Sequence, residues 1–266
     1  MNSSPPSPLS CLRHLTLLFS LTLLVACATV NGPGDERDPL ESLNRSVFNF
    51  NEGFYQYVLD PVTETYQDIT PRPVQSGVSN FFSNIGDLFV LVNDVLQFKF
   101  AQAASDLSRF AFNTTAGLFG LIDVASYMGL PKHNEDFGQT LATWGVGDGP
   151  YLVLPFLGPS TLRDTGGLLA DSTYDPIYDI PDREARWGTI GLKAIDIRAS
   201  LLSADRMAGK SGVDKYNFIR DAYLQHRQNL IYDGNPPNQL KPAPMDDKES
   251  QELELELEKA LQAPAQ

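Results

Sequence analysis

Asp38-Pro39-Leu40-Glu41-Ser42-Leu43-Asn44-Arg45-Ser46-Val47-Phe48-Asn49-Phe50-Asn51 is the stretch whose reading decides the fold. Asp38 offers an N-cap, Pro39 a first helical residue with no amide hydrogen to leave unpaired, and Glu41 an acid at N3. Leu40, Leu43, Val47, Phe50, Phe54 and Tyr57 then recur at spacings of three and four, which predicts an amphipathic helix with an aromatic stripe.

The same theme continues outward. Asp60-Pro61 reads as a restart of the chain, and Pro71 and Pro73 as a further break before a helical stripe of Val74, Val78, Phe81, Phe82 and Ile85. Leu88 to Val92 has no polar residue, so it requires burial in protein or lipid. A helix from Ala101 to Phe112 is expected to turn Ala103, Ala104, Leu107 and Phe110 inward. Thirteen of the 15 phenylalanines fall between Phe48 and Phe156, which favours an aromatic core in that part of the chain. Two longer helices follow, one marked by Trp187, Ile190, Ala194, Ile197 and Leu201, the other by Tyr216, Ile219, Tyr223, His226 and Leu230. They read as an antiparallel pair bracing the aromatic part. The fold class is mainly α.

At the N-terminus, Leu15 to Ala26 is an apolar run too short to span a bilayer, preceded by Arg13 and His14 and ended by Leu24-Val25-Ala26-Cys27. That ending resembles the lipobox of bacterial lipoproteins, in which the chain is cut before the cysteine and Cys27 becomes the lipidated first residue. Residues 1–26 are then a signal, 27–37 a tether rich in helix breakers, 38–233 the helical domain, and 234–266 a disordered acidic tail. Loss of the signal removes one charged residue, Arg13, and leaves 19 basic against 33 acidic residues, a balance of −14. Nucleic acid is not a partner for such a chain, and any contact with lipid is through apolar surface. With Cys27 lipidated there is no thiol left for a disulfide, a thiolate or a cysteine metal site.

Chemistry is sparsely marked. No Gly-x-Ser-x-Gly, His-Glu-x-x-His or phosphate-loop pattern occurs, and no metal or cofactor is expected. Gly145-Val146-Gly147-Asp148-Gly149-Pro150-Tyr151 lacks the preceding strand that a dinucleotide loop needs, and reads as a flexible loop carrying an apolar extended arm from Tyr151 to Leu157. Ser160 reads as the cap of a short helix that sets Arg163 beside Asp164, a structural ion pair tying the loop to the body. His133 lies in a polar turn and reads as exposed, and His226 as a packed histidine. For a phospholipase, the available pair is Ser160 or Ser172 with His133.

Taken in order, Asp38-Pro39-Leu40-Glu41 with Asn44-Arg45 and Phe48-Asn49-Phe50-Asn51, Val78-Ser79-Asn80-Phe81, Arg109-Phe110 with Asn113-Thr114, Gly120 with Ile122-Asp123-Val124-Ala125, Phe137-Gly138 with Thr140-Leu141, the Gly145 to Tyr151 segment, Leu154-Pro155-Phe156 and Leu162-Arg163-Asp164 resemble the motifs of the MlaA (VacJ) lipoproteins of Gram-negative outer membranes. The resemblance runs from Asp38 to Tyr232. It implies a ring of short helices embedded in the inner leaflet of the outer membrane, with two longer C-terminal helices and a glycine-rich, hairpin-like loop. It further implies a central channel through which misplaced phospholipid leaves the outer leaflet for a soluble periplasmic carrier, MlaC-like, with trimeric porins as partners. On this resemblance Asn49, Phe50 and Asn51 line the channel, and Gly145, Gly147, Gly149, Pro150, Tyr151, Leu154 and Pro155 form its gate. A porin-associated structural lipoprotein is the alternative.

Overall fold

A computed structural model describes residues 37–210 and 214–237. The signal, Cys27 and most of the tail lie outside the described residues. Helices dominate: α1 (Glu41–Phe54), a π-helical turn (Tyr55–Leu59), α2 (Asp60–Ile69), α3 (Arg72–Leu96), α4 (Phe100–Thr115), α5 (Val124–Tyr127), α6 (Phe137–Thr143), α7 (Leu162–Ser172), α8 (Arg183–Lys210) and α9 (Lys215–Ile231). The described strands are β1 (Tyr151–Leu154) and β2 (Gly158–Thr161), an antiparallel hairpin pairing Tyr151 with Thr161 and Leu154 with Gly158. None of the described helices is long and apolar enough to cross a membrane. The chain forms two compact units divided between Tyr223 and Leu224, inside α9. In the second unit α9 ends where Gly234, at φ +80°, donates its N–H to Asn229 O over 2.8 Å.

Two boundaries differ from the sequence expectation. Asp38 does not cap α1, which starts at Glu41 with Leu40 before it; its carboxylate is buried and accepts instead from Asn44 and Tyr216. Asp60-Pro61 does not break the chain either. The helical path runs from Glu41 to Ile69 without leaving αR, because the wider π turn of Tyr55–Leu59 immediately precedes Pro61, whose ring and missing N–H a regular turn would not accommodate.

The larger departure concerns which helix faces are inside. On α4 the buried positions are Ala103, Asp106, Arg109 and Asn113, while Leu107 and Phe112 face outward. On α3 they include Asn84, Asp87, Asn93 and Asp94, with Val92 and Val95 exposed. Among the described residues 22 buried side chains are polar or charged and only 10 are apolar, the reverse of a core assembled by withdrawing apolar surface from water. The apolar load lies outside: Phe119 is 76% and Tyr127 88% exposed, alongside Phe98, Phe100, Leu118, Leu157 and Leu169. The enrichment in phenylalanine therefore marks the surface more than the core.

Such an interior holds only if its polar groups satisfy one another. Arg109 donates to both oxygens of Asp123 at 3.1 Å and to Leu130 O at 2.6 Å, and lies 4.0 Å from Asp87, which Lys132 also contacts. Burial pushes the Asp123 carboxyl up, but the hydrogen bonds from Ser126 and Asn113 and the charge of Arg109 outweigh it and hold it down at about 2. Next along the same layer, Glu135 accepts from Gln97 at 2.8 Å, Lys99 at 2.8 Å and Gln102 at 3.1 Å, and Thr140 donates to Asn93 at 2.7 Å. These bonds fix α6 against α3.

α6 and α7 pack at glycines. A Cβ on Gly167 would stand 2.3 Å from Gly138 N and 2.7 Å from Gly138 Cα, whereas one on the neighbouring Gly166 meets nothing within 4 Å. Gly167→Ala is therefore expected to lower unfolding stability by roughly 3 kcal/mol. Gly166→Ala, on an open helix face, is expected to raise it by up to about 1 kcal/mol. Denaturant titration of the two variants in detergent checks the opposite signs.

Candidate functional site

The hairpin and the face of α1 beneath it form the most elaborated arrangement in the first unit. Its unusual element is the treatment of the free edge of β1. Asn44 and Asn51 are seven residues apart, two turns along one face of α1. The Asn44 side chain accepts from Val153 N at 2.9 Å and donates to Tyr151 O at 2.9 Å. The Asn51 side chain accepts from Phe156 N at 2.8 Å and donates to Leu154 O at 2.9 Å. Each carboxamide thus pairs with the strand as a peptide group of a third strand would, and Tyr151 N completes the edge by donating to Arg37 O at 3.1 Å. Both asparagines are buried.

Asn44 is held in turn by Asp38, which accepts its second amide hydrogen at 2.8 Å and the Tyr216 hydroxyl at 2.5 Å. Burial, and after it the hydrogen bond to Asp38, pushes the Tyr216 hydroxyl well above its ordinary range, so it stays a donor. Arg45 lies 4.3 Å over the Tyr216 ring.

The tip of the hairpin is apolar and outward. Phe156, at φ +64°, and Leu157 are both exposed. Phe156 meets Phe50 and Phe54 edge-on, with centroids 5.2 and 4.9 Å apart, and its carbonyl accepts from the Tyr55 hydroxyl at 3.0 Å. At the other end, Gly145 and Gly149 take φ of +91° and +67°, a region costly for residues with a Cβ. Gly145 and Gly147 have open space around them. The loop is tied down at Asp148: Arg163 donates to it and to Asp164, at 3.0 Å through Nε and 2.9 Å through Nη2. Tyr223 donates to the other oxygen of Asp164 at 2.8 Å. The helix cap here is Thr161, whose Oγ1 accepts from Asp164 N at 3.1 Å, and not Ser160.

Of the residues the sequence singled out, Tyr151 is buried, Leu154 and Pro150 half-buried, and Asn49, Phe50, Gly145, Gly147, Gly149 and Pro155 exposed. Asn51 is committed to the backbone of the hairpin. The edge-pairing role of Asn44 and the loop tie at Asp148 were not read from the sequence; two asparagines seven residues apart amid an apolar stripe were the one signal.

His133 is not exposed as its polar turn implied. Its Nδ1 lies 2.8 Å from the fully buried Asp106. Ser160 is bonded to Thr165 and to Thr161 O, and Ser172 to Leu169 O, so no serine–histidine pair is assembled from these residues. No group of described residues is arranged to hold a metal ion.

Comparison with known proteins agrees with this geometry. A family model described as MlaA lipoprotein matches residues 36–230. The proteins called intermembrane phospholipid transport system lipoprotein MlaA from Shigella flexneri and Escherichia coli are each 40% identical over 237 residues, covering 87% of this chain and 92% of theirs. The Haemophilus influenzae protein of the same description is 30% identical, covering 83% and 90%. A solved chain, described as the structural basis for maintenance of bacterial outer membrane lipid asymmetry, superposes with a TM-score of 0.64 at 36% identity, covering 74% of this chain and 99% of that one. The chain therefore belongs to the MlaA lipoprotein family.

Proposed function

We propose that this protein helps to keep the outer membrane asymmetric, by letting misplaced phospholipid leave the outer leaflet and pass to a soluble periplasmic carrier. The observation that carries the reading is the inverted body, with phenylalanines and leucines outward and a bonded polar network within. A surface of that kind is stable in hydrocarbon, and its helices satisfy their own backbone groups there. Family membership supplies the direction of the inference: relatives at 40% identity are named for intermembrane phospholipid transport.

In this proposal Cys27 carries the lipid anchor, the body lies in the periplasmic leaflet, and trimeric porins and an MlaC-like carrier are partners. The channel is lined near Asn49 and Phe50, with Asn51 acting from beneath as the fastening of the gate. The gate is the segment Gly145, Gly147, Gly149, Pro150, Tyr151, Leu154 and Pro155, whose glycines allow movement about the Arg163 to Asp148 tie. No chemistry is required of it, since the lipid moves without a bond being made or broken.

The test is the phospholipid content of the outer leaflet in cells lacking the gene, complemented with wild type or with Cys27→Ala. The expected result is accumulation on deletion, reversal by wild type, and at least a tenfold weaker reversal by Cys27→Ala, about the factor that 1.4 kcal/mol of lost anchoring would impose. An unchanged leaflet in the deletion strain would sink the transport reading.

A further inference from the structure

Between α3 and α4 lies a pair of acids that the hairpin site does not use. Asp94 and Asp106 are both 0% exposed. Both oxygens of Asp94 and Oδ1 of Asp106 lack a hydrogen-bond donor if both groups are ionised, although the two carboxyls lie within hydrogen-bonding reach of each other. A buried acceptor without a donor is costly, and two buried carboxylates in contact more so.

The charges around the pair do not remove this cost. Asp106 Oδ2 faces His133 Nδ1 at 2.8 Å. Lys99 is engaged by Glu135 at 2.8 Å, Lys132 by Asp87, and Arg109 by Asp123 and Asp87. On the side of the loop before α6, Glu135 adds a further negative charge near Asp94. Each of these three cations is thus engaged by another acid, and the donor the pair needs is a proton.

We propose that Asp94 and Asp106 share one proton, carried by Asp94 and donated to Asp106, and that this proton is a pH-dependent latch between α3 and α4. The proton is assigned to Asp94 because neither of its oxygens has a donor, whereas the far oxygen of Asp106 faces the His133 ring. The latch lies in the layer that also fixes α6 through Gln97, Glu135 and Thr140, and α6 leads directly into the Gly145 loop. Loss of the proton loosens the helix pair that anchors the base of the loop.

The direction of the pH effect follows. Burial, then the hydrogen bond and charge of Asp106, and then Glu135 push Asp94 up to about 8 against the pull of Lys99. The folded chain holds a proton that the unfolded chain has lost above about pH 4, so stability falls as pH rises from there to about 8 and levels off beyond it.

The experiment is carried out on the full lipoprotein in detergent, between about pH 6 and about pH 10. Infrared spectroscopy is expected to show a protonated-carboxyl carbonyl band that is lost on raising the pH. In Asp94→Asn, where the amide replaces the carboxylic acid as donor to Asp106, the band is expected to be missing. Over the same range the wild-type melting midpoint is expected to fall by roughly 5 °C, and that of Asp94→Asn by less than half as much. A band that persists in Asp94→Asn, or equal pH slopes in the two proteins, overturns the proposal. Should Asp94→Asn not fold, the titration of the wild-type band and its displacement in Asp106→Asn decide the same question, and a wild type without the band refutes it.

Discussion

Replacing Arg109 with leucine is expected to lower unfolding stability by about 3–5 kcal/mol, the cost of removing the buried guanidinium from Asp123, Leu130 O and Asp87. Arg109 is 1% exposed and sits where α4, α5 and the following turn meet. One guanidinium serves Asp123, Leu130 O and Ser126, and it offsets Asp87 at 4.0 Å. Leucine fills part of the volume but leaves Asp123 with only its Ser126 and Asn113 donors. Lysine keeps the charge without the planar fork, and is expected to lose at least half as much. The coupling can be isolated: combined with Asp123→Asn, which removes the stranded charge, Arg109→Leu should cost less than the sum of the two single changes. Urea titration in detergent of the four proteins gives the cycle. A loss below about 1 kcal/mol for Arg109→Leu would mean that the site is hydrated and behaves as a surface pair.

That polar centre was the part of the fold least legible in the sequence. The three-and-four spacing located α1, the start of α3 at Pro71, α4 and the two long helices, and the apolar run after the glycines anticipated β1. Periodicity gives the period of a helix but not the medium on either side of it. On α4 the apolar set Ala103, Ala104, Leu107 and Phe110 and the mostly polar set that is buried, Ala103, Asp106, Arg109 and Asn113, fit the same period, and only the expectation of water outside selected the first. The structure reverses that choice, as the proposed lipid setting would require. The π turn at Tyr55–Leu59 had no signal apart from the Asp60-Pro61 pair that it accommodates. At the candidate site, Arg163 and Asp164 were found together, and in the structure they contact each other. Asp148, the partner of Arg163 in the loop, is six residues before Leu154 and was hidden among glycines valued only for flexibility.

The double substitution Asn44→Ala with Asn51→Ala is expected to detach the hairpin from α1 without unfolding the helical layer. Asn44 answers one N–H and one carbonyl of β1 and also the buried Asp38, and Asn51 answers the last carbonyl of β1 and the Phe156 N–H in the turn after it. Losing one such set costs about 1–3 kcal/mol, and the two together roughly 4. The cost falls on the hairpin, because the amides left open are those of Val153, on the edge of β1 that β2 does not cover, and of Phe156 in the turn that follows β1. Hydrogen exchange is therefore expected to speed up by about two powers of ten or more at those two amides, while amides of α3 and α4 keep their wild-type protection. Single substitutions separate the ends: Asn51→Ala should free Phe156 and the apolar tip, Asn44→Ala the base near Tyr151. If the proposed gate is this hairpin, cells carrying the double variant should differ from wild type in outer-leaflet phospholipid even though the protein is made and anchored. Unchanged exchange at Val153 and Phe156 would mean that β2 and the Phe50, Phe54 and Phe156 cluster hold the hairpin alone. Faster exchange with an unaltered leaflet would keep the clamp and move the gate elsewhere.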